Sequence, residues 1–168
     1  MSSLKKWFAL YTKPRHEFKA QLQLDAIGVE NYLPTITLVK KWSDRKKKVT
    51  EPLFRGYIFI CADEKERFKA LEQKAVVRVI FFNGKPSVIP ENQIESIKKM
   101  LSETSDVSVF EGLVKGTEVY ITEGPFAGVE GVVYQTENAE NMLAVSVDLL
   151  NRSVIVKLPA DSLVKKIK

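Results

Sequence analysis

The sequence predicts an α+β protein built from two modules, an α+β domain with a mostly antiparallel sheet and a small β-barrel. Three observations predict this plan. Residues 1–100 carry 20 Lys and Arg against 11 Asp and Glu, whereas residues 101–168 carry 6 against 10. The first part alternates apolar, strand-like runs with helical patterns. The second part consists of short Val- and Ile-rich runs separated by glycines, which is typical of small barrels.

The composition limits the class of protein. A length of 168 residues with 45% hydrophobic and 28% charged side chains is that of a globular chain with one large or two small domains. The single cysteine, Cys61, excludes an intrachain disulfide, and no apolar run approaches the ~20 residues of a membrane span. We therefore expect a protein of the cytoplasm, and we also expect it to be a monomer. Because His16 is the only histidine, we expect no catalytic residues, metal or cofactor.

The first module begins with a short aromatic run over residues 6–12, which predicts a buried strand. Pro14 then precedes a helix from about Arg15 to Ile27, which ends at Gly28. We expect this helix to be packed on one side and partly covered on another, because it carries two apolar stripes. The stripes are Phe18, Leu22 and Ala26, and Ala20, Leu24 and Ile27.

The rest of the first module predicts a β-hairpin with a basic tip, followed by alternating strands and helices. The hairpin strands are residues 36–42 and 47–51, joined by a turn-prone stretch. The later elements are a buried strand over 57–62, a short helix capped by Asp63, a strand over 76–82 and an amphipathic helix after Pro90.

The second module follows a polar stretch over residues 103–111, which has no helical period and is our predicted linker. The predicted domains are therefore residues 1–102 and 112–168. The predicted strands of the second domain are residues 118–122, 129–134, 143–149 and 153–158.

One motif in the second module has a distinctive order of strand, Gly-Pro turn, aromatic residue and second strand. It resembles the KOW motif of SH3-like barrels in ribosomal proteins and transcription factors, although taken alone it is also compatible with a simple hairpin. The motif residues are Gly124, Pro125, Phe126, Gly128 and Gly131.

Two runs of the first module, Trp7–Thr12 and Pro52–Phe59, resemble the N-terminal domain of the NusG family. The resemblance implies a NusG-type α/β sandwich with an antiparallel sheet, followed by a linker and the KOW barrel, and it accounts for nearly all of the chain. Residues 33–38 and 51–54 are closer to specialised paralogues such as RfaH and the UpxY regulators. The chain departs from the family at Arg55, which stands where a Pro is usual between Phe54 and Gly56.

The resemblance implies a transcription antitermination and elongation factor that suppresses pausing and termination, specific to an operon of surface-polysaccharide genes. Its first domain would bind the clamp helices of the largest RNA polymerase subunit and the non-template DNA strand. Its KOW domain would recruit the ribosome or a termination factor. Burial in the core is the alternative for the aromatic candidates, of which we expect Tyr11 and Phe54 to reach the surface. The candidates for the polymerase site are Trp7, Tyr11, Phe54, Tyr57 and Phe81.

The basic residues of the first module predict a nucleic-acid surface, for which the alternative is an ordinary solvated face. Trp42 lies within a cationic run, and an aromatic ring among cations can stack with an unpaired base. Any sequence preference would come from groups such as His16, Gln23 or Trp42, because phosphate contacts only position the protein. The candidates are Lys13, Arg15, His16, Lys19, Gln23, Trp42, Arg45, Lys46, Lys47 and Lys74.

A second hypothesis is a KOW-type RNA-binding protein of ribosome assembly or translation, which would place the basic surface on folded RNA. A small enzyme is a third and less favoured class, since the sequence offers no ionisable pair in a plausible cleft.

Overall fold

A computed structural model describes residues 4–167 of the chain. Its contacts divide the chain into two compact units, of which the first ends at Pro90 and the second begins at Glu91. Residues 1–90 carry 18 Lys and Arg against 9 Asp and Glu, and residues 91–168 carry 8 against 12. The contrast in charge seen in the sequence is therefore also a contrast between the two units.

The first unit contains a five-stranded antiparallel sheet, two helices and two small hairpins. The sheet has the order β2-β5-β1-β6, and β9 also pairs with β1. Its elements are β1 (Lys6–Thr12), α1 (Glu17–Ala26), β2 (Glu30–Tyr32), β3 (Thr35–Lys41), β4 (Lys46–Pro52), β5 (Tyr57–Ala62), α2 (Glu64–Leu71), β6 (Val76–Val79), β7 (Phe81–Phe82), β8 (Lys85–Pro86) and β9 (Val88–Ile89).

Strand β1 is central because it pairs from Lys6 to Tyr11 with β5 and, on its other edge, with β6 and β9. Its apolar side chains and those of β5 form the core together with Ala20 and Leu24 of α1. This is the packed stripe of α1. In the other stripe, which Phe18, Leu22 and Ala26 form, Phe18 is 42% and Leu22 70% exposed. That side of the helix is therefore much less covered than the sequence suggests.

Helix α2 begins with the cap that the sequence predicts. The Asp63 carboxylate accepts from Glu66 N at 2.8 Å, and the Glu66 carboxylate accepts from Asp63 N at 3.2 Å. This reciprocal capping box satisfies two backbone donors that the first helical turn leaves free. The two hydrogen bonds between Asp63 and Glu66 therefore fix the start of the helix.

The β3–β4 hairpin is a two-stranded sheet of its own, with a continuous register from the pair Thr35 and Pro52 to the pair Lys41 and Lys46. From Thr37 to Lys48 every residue is exposed. We call this element the ribbon. The predicted hairpin with a basic tip is thus present.

The second unit combines one helix with a six-stranded antiparallel sheet of order β10-β14-β13-β12-β11-β15. Its buried residues, such as Val119, Ile121, Leu143 and Val154, come from three different strands of that sheet. Its elements are α3 (Glu91–Glu103), β10 (Ser108–Phe110), β11 (Thr117–Glu123), β12 (Glu130–Gln135), β13 (Asn141–Val147), a 3₁₀ turn (Asp148–Leu150), β14 (Arg152–Lys157) and β15 (Leu163–Lys166).

Helix α3 contacts β12 and β13 of this sheet. Its apolar face of Ile94, Ile97 and Met100 is fully buried, and the Ser96 hydroxyl accepts a hydrogen bond from Glu130 N at 3.0 Å. The helix is thus part of the second unit, because the apolar stripe that the sequence reveals is covered there.

The predicted fold class is confirmed: the chain is α+β, with an antiparallel sheet in the first unit and an SH3-like, all-antiparallel β part in the second. The predicted limits at 102, 103–111 and 112 differ from the compact units. The polar stretch proposed as a linker contains β10, which pairs with β14. Strand β15, which pairs with β11, was not predicted.

Candidate functional site

A surface hollow of about 580 Å³ lies in the first unit, where the end of β1, the start of α1 and the turn after β4 come together. Aromatic, proline and charged side chains line it side by side. Its lining residues are Tyr11, Thr12, Pro14, Arg15, Glu17, Phe18, Glu51, Pro52, Arg55 and Gly56. We call this surface the hollow.

The wall of the hollow includes the tight turn from Phe54 to Tyr57, whose backbone is closed by a hydrogen bond from Tyr57 N to Phe54 O at 3.2 Å. Gly56 has a φ of +87°, as the third residue of a type II turn requires. A Cβ at Gly56 would also lie 3.4 Å from a ring carbon of Tyr11. Arg55 occupies the second position of the turn, where Pro is common. The sequence departure at Arg55 therefore falls on a position that proline would suit.

The same turn ties β1 to α1. Gly56 N donates to the buried Glu17 carboxylate at 3.0 Å, and Thr12 N donates to Gly56 O at 2.8 Å. Because Glu17 lies in the first turn of α1, this carboxylate fixes the start of the helix against the turn. The geometry of the hollow is thus held by hydrogen bonds from three elements.

Tyr11 is the central aromatic side chain of the hollow. Its ring packs edge-to-face on Tyr57 with centroids 5.6 Å apart, and the Arg78 guanidinium lies 5.4 Å from its ring centroid. Both tyrosines are half-buried. They therefore form part of the core and still present an edge to a binding partner.

The charges around the hollow are unequally compensated. Glu17 is bound by Gly56 N–H, and Glu51 pairs with the Lys40 ammonium. The hydrogen bond from Lys40 lowers the pKa of Glu51 below its ordinary value, and the charge of Arg55 adds to this. Among the described residues, neither Arg15 nor Arg55 forms an ion pair, and both are exposed. The rim of the hollow thus presents two exposed guanidinium groups that form no ion pair with the described residues.

Two of the five aromatic candidates are buried. Trp7 is 5% exposed within β1, and Phe54 is 4% exposed with its ring edge-on to Phe59 at 6.0 Å. The expectation that Phe54 reaches the surface is wrong, because the turn directs its ring toward the core. Phe81 is exposed on the β7–β8 hairpin and does not line the hollow. The hollow thus contains Tyr11 alone of these five.

The sequence did not single out Phe18 as a site residue. Its signal was the second apolar stripe of α1, which we interpreted as packing surface. In the structure Phe18 lines the hollow and remains substantially exposed.

The nucleic-acid candidates fall into two groups on different elements of the first unit. The first group is assembled around Ala75, whose carbonyl accepts from Lys13 N at 3.0 Å and whose N–H donates to the Gln23 side-chain oxygen at 3.0 Å. Lys74 directly precedes Ala75, so Lys13, Gln23 and Lys74 lie close together. Gln23 retains its side-chain NH₂ group for a further contact.

Three other candidates lie at the start of α1. Arg15 and Lys19 are exposed and form no ion pair within the part of the chain that the structure describes. His16 is half-buried, and its Nδ1 lies 2.7 Å from Pro14 O. Because a carbonyl only accepts, Nδ1 donates to Pro14 O. These residues extend the first group along the helix.

The second group lies at the tip of the ribbon. Trp42 is 47% exposed, and the Lys47 ammonium lies 4.8 Å from its ring centroid. Trp42 N donates to Arg45 O at 2.7 Å and closes the turn, while Arg45 and Lys46 are exposed. The tip therefore combines an accessible indole ring with several cations.

The KOW-motif residues form the connection from β11 to β12. Gly124 and Gly128 lie in this turn and Phe126 is buried at its centre, with Val129 N donating to Phe126 O at 3.0 Å. A Cβ at Gly131 would lie 2.5 Å from Ala144 O, so only glycine allows β12 to approach β13 this closely. Phe126 and Gly131 therefore contribute to the packing of the second unit. Pro125 is exposed in the turn.

Within residues 4–167, no three His, Cys, Asp or Glu side chains are grouped so that they could hold a metal ion. None of the described helices is long and apolar enough to cross a membrane.

Residues 5–98 match the family described as NusG, transcription termination factor nusG. Because this match covers more than half of the chain, the chain belongs to the NusG family. It is a transcription termination/antitermination factor of that family.

Two relatives agree with this assignment. The transcription termination/antitermination protein NusG of Haemophilus influenzae is 28% identical over 171 residues, covering 93% of this chain and 91% of the relative. The protein of the same name from Escherichia coli is 27% identical over 152 residues, covering 88% and 83%. A solved structure of Thermotoga maritima NusG, concerned with its domain interaction, covers 98% of both chains at 22% identity with a TM-score of 0.48.

Proposed function

We propose that the chain is a cytoplasmic antitermination and elongation factor that binds RNA polymerase through its first unit and thereby suppresses pausing and termination. The observation that carries this proposal is the hollow, in which accessible aromatic side chains are rimmed by free cations. Exposed aromatic clusters with a polar rim are typical of sites for protein partners. The proposed partner is the pair of clamp helices of the largest polymerase subunit.

The binding mechanism requires no bond chemistry. A helix of the partner would place apolar side chains against Phe18 and Tyr11, while acidic groups of the complex would meet Arg15 and Arg55. A factor that binds one conformation of the clamp more tightly stabilises that conformation by the difference in affinity. If the closed clamp is the form that is bound, entry into paused states is reduced.

The non-template DNA strand is the proposed partner of the group around Ala75 and the start of α1. Lys13, Lys19 and Lys74 are exposed cations that would contact phosphates, while His16 and Gln23 carry the polar groups that could distinguish bases. Tyr57 supports Tyr11 from behind, and Phe81 would extend the contact beyond the hollow. Trp7 and Phe54 would contribute by holding the sheet.

The second unit is proposed to bind a different class of partner, the ribosome or a termination factor. Its net negative charge disfavours contact with nucleic acid. The resemblance of residues 33–38 and 51–54 to specialised paralogues supports a role at one operon, with surface-polysaccharide genes as the proposed target.

An RNA-binding role in ribosome assembly is the second candidate function. The basic first unit favours it as well, since a cationic surface attracts any polyanion. It requires no polymerase and makes no use of the hollow, so the two functions are separable by experiment.

The test compares two exposed phenylalanines on helices of the same unit. Phe18→Ala removes an aromatic ring from the hollow, and Phe68→Ala removes a ring of similar exposure from α2, where it is outside the hollow. We expect Phe18→Ala to weaken binding to purified core polymerase about 10- to 30-fold, as for a central interface residue, and Phe68→Ala to leave it unchanged. Tyr11→Ala should show an equal or larger loss.

The proposed site would be contradicted if Phe18→Ala and Phe68→Ala both bound polymerase as tightly as the unmodified chain. Co-sedimentation with ribosomes in the absence of any affinity for polymerase would favour the RNA-binding alternative.

A further inference from the structure

The two faces of the ribbon differ in how their lysines are compensated. Residues directly opposite each other in an antiparallel pair lie on the same face, and residues two apart on a strand share that face. Lys41 is opposite Lys46, and Lys48 is opposite Val39, so these three lysines share one face. We call it the lysine face. The other face carries the pair of Lys40 and Lys47.

On the other face, each of the two lysines has a partner within the ribbon. Lys40 forms an ion pair with Glu51, and the Lys47 ammonium lies over the ring of Trp42. On the lysine face, by contrast, none of the three ammonium groups has an ion pair or an aromatic partner among the described residues. All three are exposed. The lysines of the other face therefore have partners within the ribbon, whereas those of the lysine face have none among the described residues.

This arrangement disfavours the free ribbon, because like charges placed directly opposite each other in a sheet repel. Lys41 and Lys46 form such a pair, and Lys48 lies two residues further along the same strand. A polyanion on the lysine face would relieve the repulsion. An uncompensated local feature of this kind is expected where a ligand binds.

The shape of the ribbon distinguishes between polyanions. Paired strands are about 4.8 Å apart, so a two-stranded ribbon with its side chains fits the major groove of B-form DNA, which is about 12 Å wide. The minor groove, at about 6 Å, is too narrow, and the major groove of an RNA duplex is deep and narrow. Lys46 and Lys48 would be about 6.8 Å apart along the strand.

We propose that the lysine face of the ribbon binds duplex DNA in the major groove, with Lys41, Lys46 and Lys48 on phosphates. This site is distinct from the single-strand contact proposed for α1, and it deepens the proposed function by assigning a DNA duplex to the ribbon. The binding needs no polymerase. It is independent of base sequence, because its contacts are to phosphates.

The test measures binding of the full chain to a short DNA duplex of arbitrary sequence between about 50 and 200 mM salt. The variant Lys46→Gln/Lys48→Gln removes two charges from the lysine face. Its matched control is Lys65→Gln/Lys69→Gln, which removes two exposed charges from α2. We expect the slope of log affinity against log salt to shrink by about 1.8 for the first variant and to stay unchanged for the control.

Lys41→Gln, on the partner strand, is a second and independent variant that should reduce the slope by about 0.9. Because each substitution removes a repulsion, the melting temperature should stay the same or rise. Single-stranded DNA and an RNA duplex serve as competing ligands, and the ribbon variants should change their binding less than that of duplex DNA.

The proposal is overturned if the control lowers the slope as much as the ribbon variant, or if the ribbon variants leave duplex binding unchanged. A larger loss for single-stranded DNA or for the RNA duplex would also overturn it. Affinity for core polymerase without DNA, measured on the same proteins, should not change in the ribbon variants. A failure of polymerase binding can thus be told apart from a failure of the ribbon site.

Discussion

The two units of the chain use their cations in different ways. In the first unit, which has 18 Lys and Arg, Lys5 and Lys40 form ion pairs with carboxylates. In the described part of the second unit, which has far fewer cations, Lys98, Lys99 and Lys157 do so. Among the described residues, the first unit therefore leaves most of its cations without an ion pair, whereas the second pairs a larger share of its own.

The aromatic side chains separate the two units less sharply. The first unit leaves Phe18, Trp42 and Phe81 substantially exposed, each in a different part of its surface. The second unit buries Phe126 within its turn but leaves Phe110 49% and Tyr120 39% exposed. The comparison teaches that uncompensated positive charge, more than exposed aromatic surface, distinguishes the first unit from the second.

The largest expected effect concerns helix α3 and the extent of the second core. Ile97→Ala should destabilise the second unit by about 2–4 kcal/mol, because it opens a cavity under a fully buried side chain. Amide hydrogen exchange would show faster exchange in β12 and β13 but not in β1 and β5. The exposed Glu95→Gln on the same helix should leave exchange unchanged, and faster exchange in the first unit would contradict this division.

A smaller effect, of opposite sign, is expected at the hollow. Arg55→Pro should stabilise the first unit by about 0.4–1 kcal/mol, since the second position of its turn suits proline and the unfolded chain loses entropy. Arg55→Gln removes the same charge without this gain and is the control for denaturant unfolding. If Arg55→Pro were no more stable than Arg55→Gln, Arg55 would not occupy the second position of a type II turn.

The smallest effect concerns the ion pair at the base of the ribbon. The folded-state pKa of Glu51 is lowered, chiefly by the hydrogen bond from Lys40, so its stabilising contribution is present above the unfolded pKa and is lost as pH falls through the folded value. In Lys40→Gln, NMR titration should show the Glu51 pKa moving up toward its ordinary value. An unchanged pKa would mean that Lys40 does not compensate this carboxylate.

Much of the fold could be predicted because its signals are local. The Asp63 cap, the apolar stripe of α3 and the ribbon all depend on residues close together in sequence. The family motifs supplied the order of the units. The place of α3 in the second core could not be predicted, because an apolar stripe does not reveal which sheet will cover it.

The site was less predictable for a related reason. Phe54 and Tyr11 both occur in aromatic runs, but the structure buries Phe54 in a turn and leaves Tyr11 half-buried near the end of β1. Likewise, a run of lysines does not show which of them are compensated. Cross-strand register separates Lys41, Lys46 and Lys48 from Lys40 and Lys47, and register is set by the turn.

The most direct test of the central claim is the lifetime of pauses made by elongating core polymerase with and without the full chain. We predict that the chain shortens these pauses, that Phe68→Ala acts like the unmodified chain, and that Phe18→Ala has lost most of the effect. Unchanged pause lifetimes in the presence of the chain, or equal activity of the two variants, would contradict a first unit that acts on polymerase through the hollow.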